Sequence, residues 1–234
     1  MLGGEKGDVM RLIPTATLGE RVVDGLRTAI LRGDFPPGTE LKQEILAEQF
    51  GVSRIPVREA LQMLERDGLV MVKPNRRVVV AALTDDDLLD HYAVRALIEG
   101  EAAARAAAAD ADLSMMSTAE RRNEEARQLE DLESFLSASA VFHRSIWDAA
   151  GSFWLKTVAS QLWSGRDYTP ADVPQQLKRA SDEHRLIAEA IRRRSPEKAR
   201  RAMTDHIMRT AEELQNYRAE VVFGKREPNA LVHR

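Results

Sequence analysis

The chain has 234 residues, with 34 Lys plus Arg against 37 Asp plus Glu, a formal net charge of -3, 44% hydrophobic residues, 5% aromatics and no cysteine. At roughly 100 to 200 residues per domain, this length suits two modest domains or one large one. The lack of cysteine excludes a disulfide scaffold, a thiolate metal site and a cysteine nucleophile. The longest apolar run, Val78 to Leu83, falls far short of the roughly 18 to 20 residues of a membrane helix. The N-terminal stretch MLGGEKGDVMRLIP has no apolar core of signal-peptide length, so the expected compartment is the cytoplasm, with no membrane partner. A slightly acidic total does not exclude nucleic acid, because the average can hide a small basic face.

Residues 1–15 and 224–234 lack periodicity and are expected to be flexible tails. Residues 16–83 carry frequent turn signals: FPPG at 35–38, Gly51, Gly68 and KPN at 73–75. Beyond Thr84 breakers are sparse and Ala and Leu are frequent, which predicts an all-helical unit over 84–223. Thr84 can cap its first helix, and Asp87 can reach back to complete a capping box. The linker is then short, about 81–83.

In the first unit, a helix from about Thr17 to Arg32 places Val22, Val23, Leu26, Ala29 and Ile30 on one stripe, closed by Gly33. A second helix, about 43–50, ends at Gly51, and a third starts after Ser53, a suitable N-cap. The third buries Val57, Ala60, Leu61 and Leu64 and presents Arg54, Arg58 and Gln62 on its opposite face. Two helices joined by a tight Gly turn form a helix-turn-helix pattern. Residues 69–72 and 78–81 follow as a β-hairpin with a basic tip, Lys73-Pro74-Asn75-Arg76-Arg77. Between Val52 and Val80 the bases Arg54, Arg58, Arg66, Lys73, Arg76 and Arg77 outnumber Glu59, Glu65 and Asp67, a local charge of +3. Arginine suits a DNA face because its planar fork grips phosphate or bridges guanine O6 and N7.

The stretches ILRGDFPPGTEL and LAEQFGVSRIPVREALQMLERDGLV resemble the winged-helix DNA-binding domain of GntR-family transcription regulators. The resemblance implies that Ser53, Arg54 and Arg58 contact DNA from the recognition helix and that the hairpin, with Arg76 and Arg77, is a wing entering the minor groove. Where the family often has glycine after an Asn-Arg pair, this chain has Arg77. An arginine there can insert into a narrow minor groove in place of a close backbone approach.

In the second unit six helices are expected, at about 84–109, 112–133, 135–150, 153–164, 174–193 and 196–220, the last with Ser195 as cap and Pro196 at its first position. Arg95 and Glu99 lie one turn apart, while His143, His184 and His206 fall in apolar settings on three different helices. Converging neutral imidazoles make a nitrogen set for a divalent metal such as zinc, nickel or manganese. The stretches VRALIEGEAA, VFHRSIWDAAGS, EHRLIAEAI and AMTDHI resemble the FCD ligand-binding domain of the FadR subgroup within the GntR family. That resemblance implies a six- or seven-helix bundle whose cavity often binds a metal through one Asp and three His and senses a small carboxylic acid. His143, His184 and His206 occupy the histidine positions, but Ser139 stands at the usual Asp position and supplies only a weak neutral oxygen. The rival arrangement is a metal-free cavity in which the imidazoles and Arg95 hydrogen-bond an anion directly.

The expected protein is mainly α: a winged helix-turn-helix of three helices and a two-stranded wing, followed by the helical bundle. Its expected role is a ligand-responsive repressor that binds a palindromic double-stranded operator as a homodimer and senses a small organic acid beside Arg95. Alternatives are a metal-sensing DNA-binding regulator and, more remotely, a metal-dependent hydrolase. No His-Asp dipeptide, HExxH helix, GxSxG elbow or GxxxxGK[ST] loop occurs in the chain, which disfavours an enzyme.

Overall fold

The computed structural model describes residues 18–163 and 173–222, with side chains through residue 220. The tails expected at 1–15 and 224–234, and Thr17 at the expected start of the first helix, lie outside the described residues.

Helices α1 (Leu18–Arg32), α2 (Gln43–Phe50) and α3 (Arg54–Arg66) bury the stripes their periodicity predicts. Val22, Val23, Leu26 and Ile30 from α1 share one core with Leu61 and Leu64 of α3. Each such side chain contributes about 1.5–3 kcal/mol through its removal from water. Gly51 ends α2 at φ +64°, and its N–H donates to the Glu48 carbonyl at 3.1 Å. A residue with a Cβ would be strained there, so the Gly turn sets the angle at which α3 leaves. Ser53 does occupy the N-cap position of α3, with extended backbone, but its hydroxyl makes no cap hydrogen bond.

The hairpin pairs β1 (Val70–Val72) with antiparallel β2 (Val78–Val80), Met71 standing opposite Val79. A third edge, which the sequence did not indicate, runs along β2: Val80 N–H donates to the Thr39 carbonyl at 3.0 Å and Leu41 N–H to the Val78 carbonyl at 2.8 Å. Residues 38–41 are too few to show alternation. At the tip the positive φ of +61° falls on Arg76 and not on Arg77, so an arginine in place of glycine at 77 meets no backbone strain.

Among the described residues six helices follow: α4 (Asp85–Ala108), α5 (Ser114–Gln128), α6 (Leu132–Ala149), α7 (Phe153–Leu162), α8 (Val173–Arg192) and α9 (Pro196–Val222). The capping box at Thr84 and Asp87 forms as expected, with reciprocal bonds of 2.8 and 3.1 Å. The division between α5 and α6 comes earlier than expected. Glu130 turns the chain at φ +53°, and Asp131 caps α6 by accepting from Ser134 N–H at 3.0 Å, a break made without glycine or proline. Helix α4 runs along α9 so closely that a Cβ on Gly100 would lie 2.8 Å from Thr204 Oγ1.

Arginines stitch the N-terminal unit to the helical bundle. Arg218 of α9 donates to the Leu31 carbonyl at 2.7 Å and pairs with Asp85 at 3.2 Å. Arg144 of α6 lies 3.7 Å from Asp24 of α1. Burial pushes the Asp24 carboxyl up to about 6, against the opposing pull of Arg27 and Arg144. Among the described residues no helix is long and apolar enough to cross a membrane.

Candidate functional site

Two sites emerge. The first is the outer face of α3 and the hairpin tip. Ser53, Arg54, Arg58, Gln62, Arg76 and Arg77 are all exposed there. Among the described residues Arg54 pairs with Glu44 at 2.8 Å, with both side chains more than 60% exposed, and such a pair contributes little. Arg77 leans toward Glu40 at 3.6 Å, while its N–H donates to Asn75 Oδ1 at 3.2 Å.

The second site lies inside the bundle. α6, α8 and α9 bring His143, His184 and His206 together, with one ligand nitrogen of each within 4.8 Å of the others. All three are buried, and their ring centroids lie 4.9 to 5.4 Å apart. Each Nδ1 already has a partner: Glu99 Oε2 at 2.6 Å for His143, Asn123 Oδ1 at 3.1 Å for His184 and Glu183 Oε2 at 2.7 Å for His206. With Nδ1–H donating outward, Nε2 is the nitrogen available to a metal, and the carboxylate or amide behind it fixes the ring. The Asn123 amide is oriented by its other bonds, since its Nδ2 donates to the Phe135 carbonyl at 2.9 Å and to Ser139 Oγ at 3.0 Å. The donor set therefore fits an open three-nitrogen metal site.

Arg95 is only 2% exposed and donates from Nε to Glu99 Oε1 at 2.6 Å. Burial opposes charge on Glu99 most strongly, yet Arg95 and His143 outweigh it and hold the carboxyl down at about 2. Trp147 adds an indole N–H to the same carboxylate at 3.0 Å. Burial pushes His184 well below the usual imidazole range, reinforced by His206 and His143, so it is uncharged at neutral pH. His206 is also lowered by burial, against the pull of Glu183.

A cavity of about 100 Å³ adjoins the histidines, lined by Arg95, Ser139 and the three histidines. The sequence reading missed Asn123, Glu183 and Trp163. Glu183 could have been noticed beside His184, but Asn123 and Trp163 reach the site only through packing. The Trp163 ring lies 4.5 Å from the Arg95 guanidinium and 4.9 Å from the His143 ring. Its main-chain carbonyl accepts from Arg27 Nη1 of α1 at 3.0 Å, and Nη2 of the same arginine pairs with Asp67, the C-cap of α3. The cavity wall is thus two hydrogen bonds from the C-terminal end of α3.

Comparison with known proteins agrees with both halves. Residues 18–80 match the model of bacterial regulatory proteins of the gntR family, and residues 90–209 match that of the FCD domain. An HTH-type transcriptional regulator of Agrobacterium vitis is 33% identical over 126 residues, covering 52% of this chain and 74% of that protein. The HTH-type transcriptional repressor RspR of Escherichia coli is 25% identical over 221 residues, 90% of this chain and 94% of that one. Among solved structures, E. coli McbR/YncC superposes with a TM-score of 0.68 at 23% identity, covering 86% of this chain and 99% of the other, a likeness of fold. A GntR transcriptional regulator from Rhodococcus sp. RHA1 gives 0.60 at 25% identity over 86% and 99%. The matched gntR family and the A. vitis and RspR relatives are transcriptional regulators rather than enzymes, and the chain belongs to the GntR family, with a C-terminal FCD domain.

Proposed function

We propose that this regulator is a repressor whose operator affinity is set by a small organic acid bound in the helical bundle. The carrying observation is Arg27, which ties Trp163 of the cavity wall to Asp67 at the end of the recognition helix. A ligand that moves Trp163 also changes the partners of Arg27 and so the seating of α3. A hundredfold change in operator affinity needs about 2.7 kcal/mol of differential binding, within the reach of one charge-assisted hydrogen bond. The working units are 16–83 for DNA and 84–223 for effector and assembly, in the cytoplasm.

Charge on the described cavity wall favours a metal-assisted site over the metal-free rival. Arg95 is matched by Glu99, and Arg209 by Glu183 and Glu213, so an acid entering alone meets no unmatched cation there. His143, His184 and His206 would hold a divalent ion such as zinc, nickel or manganese, which when bound supplies the positive charge that attracts a carboxylate. Ser139 stays on the protein side of this arrangement, donating to the Phe135 carbonyl at 2.9 Å. A second copy of the chain would complete a palindrome-reading dimer. Val94 and Leu97 of α4 and Phe153 and Trp154 of α7 are apolar and 46 to 74% exposed, which suits a face for that copy.

The test is fluorescence anisotropy on a duplex selected from a random library, with zinc alone and with zinc plus organic acids. Acid-dependent operator affinity supports the proposal. Affinity that follows zinc alone favours the metal-sensing alternative.

A further inference from the structure

We infer that the effector is a short-chain aliphatic monocarboxylate whose carboxylate accepts a hydrogen bond from the Trp163 indole N–H while its hydrocarbon body lies on the apolar residues toward the N-terminal ends of α6 and α8. The inference rests on the acid-effector reading above and narrows it to one chemical class.

The polarity of the cavity is graded along its helices. On α6, Leu132, Phe135, Leu136, Ser139 and His143 fall on one cavity-lining face, and α8 repeats the order with Leu177, Ala180 and His184. At 1.5 Å per residue the step from Leu132 to His143 is about 16 Å, so the apolar and histidine ends are well separated. The apolar ends converge, since Phe135 and Leu177 pack in one cluster with Leu132 and Ala180. Phe135 also stacks on His184 with ring centroids 6.2 Å apart, joining the two regions.

At the histidine end, Trp163 is 4% exposed, yet its Nε1–H has no acceptor among the described residues. A buried donor of this kind is costly unless an incoming oxygen satisfies it. Trp163 lines the cavity beside His143 and Arg95, so that oxygen belongs to a ligand headgroup at this end.

A second carboxylate finds no unmatched cation at the other end. The wall there is Leu132, Phe135, Leu136 and Leu177, with the neutral Gln176 on α8 and Thr210 and Glu213 on the α9 side. Arg209 is bonded to Glu183 and Glu213, and Arg179 to Glu213 at 3.1 Å. At about 10–15 Å³ for each water-sized group, a cavity of about 100 Å³ takes about seven to ten non-hydrogen atoms. With two of those atoms being carboxylate oxygens, that corresponds to acids of about five to eight carbons.

Isothermal titration calorimetry of the zinc-loaded full chain with acetate, butanoate, hexanoate, octanoate, succinate and adipate tests this. The dissociation constant should fall about three- to fourfold per methylene until the cavity is full, and hexanoate should bind at least about tenfold tighter than adipate. Trp163→Phe should weaken all the monocarboxylates by about tenfold or more while keeping the chain-length slope. Leu136→Asn, at a half-buried position, should flatten the slope and leave acetate unchanged. A flat slope in the unaltered protein, or tighter binding of adipate, overturns the monocarboxylate class while the acid reading stands. Unchanged binding to Trp163→Phe overturns the headgroup assignment. Failure of every acid to bind overturns the effector reading itself.

Discussion

Arg27 Nη1 donates to the main-chain carbonyl of Trp163 at 3.0 Å, across 136 residues of sequence. The same guanidinium pairs with Asp67 and is 3% exposed. The bond joins the wall of the bundle cavity to the C-terminal end of α3.

Arg27→Met should therefore leave operator binding in zinc alone within about threefold and shrink the acid-induced change by about tenfold or more, the scale of a typical coupling energy. Anisotropy titrations with and without hexanoate measure both quantities. Arg218→Met removes a different bond between the units, to the Leu31 carbonyl, and should lower stability without abolishing the acid response. Equal responses in Arg27→Met and the unaltered protein would dismiss the Arg27 route.

Arg54→Ala and Arg58→Ala should each weaken operator binding by about 1 to 3 kcal/mol if these side chains read bases. The Arg54 pair with Glu44 is exposed, so Glu44→Gln should cost little stability. Mutants that bind as tightly as the parent would remove α3 as the reading helix.

Ser139→Asp should raise metal affinity. Asn123 Nδ2 already points at Ser139 Oγ from 3.0 Å, so an introduced carboxylate has a donor to steady it next to the histidines. Metal content by elemental analysis after dialysis against a weak chelator is the readout, and no gain over the parent would count against the histidine cluster as a metal site.

Arg95→Ala has a consequence that the sequence did not suggest. Glu99 is fully buried and its charge is held by Arg95, so the variant strands a carboxylate and should lose about 3–5 kcal/mol of stability. Adding Glu99→Gln should restore a large part of this, because the amide oxygen can still accept from His143 Nδ1. Chemical denaturation of the single and double variants decides the point. Equal losses in both would show that the charge on Glu99 is not what Arg95 supports.

Asp24 carries a pH dependence of known sign. Its carboxyl rises from 3.8 in the unfolded chain to about 6 in the fold, so between those values the native state holds a proton that the unfolded state has released. Its contribution to stability is present at low pH and is lost as pH rises through about 6. Asp24→Asn should therefore stabilise the protein at pH 8, by at most about 3 kcal/mol at 1.36 kcal/mol per pKa unit, and the gain should shrink at pH 5. Urea unfolding at the two pH values tests it; a gain independent of pH would mean that the Asp24 carboxyl is not raised.

Local signals carried much of this molecule. The stripe in α1, the Gly51 turn, the buried face of α3 and the Thr84 capping box are each set by residues within a few positions of one another, so periodicity and turn chemistry show them directly. The three histidines were legible for a different reason, since imidazoles amid apolar neighbours on separate helices are chemically conspicuous. The break at Glu130 and the third edge at Thr39 were not legible, because a non-glycine left-handed turn and a three- or four-residue edge leave no pattern.

By itself, then, the sequence determined the order of the elements, the basic face of α3 and the hairpin, and which imidazoles were available to a cavity. Only the tertiary structure decided what stands behind each of those groups: Glu99, Asn123 and Glu183 behind the three histidines, and Glu99 against Arg95, turning an apparent anion hook into one half of a buried ion pair. Only packing brought Arg27 to Trp163. The physical reason is range. Helix propensity and capping act within a turn or two of chain, whereas the partner of a buried charge or N–H is whichever group the folded core brings within about 3 Å, however distant in sequence.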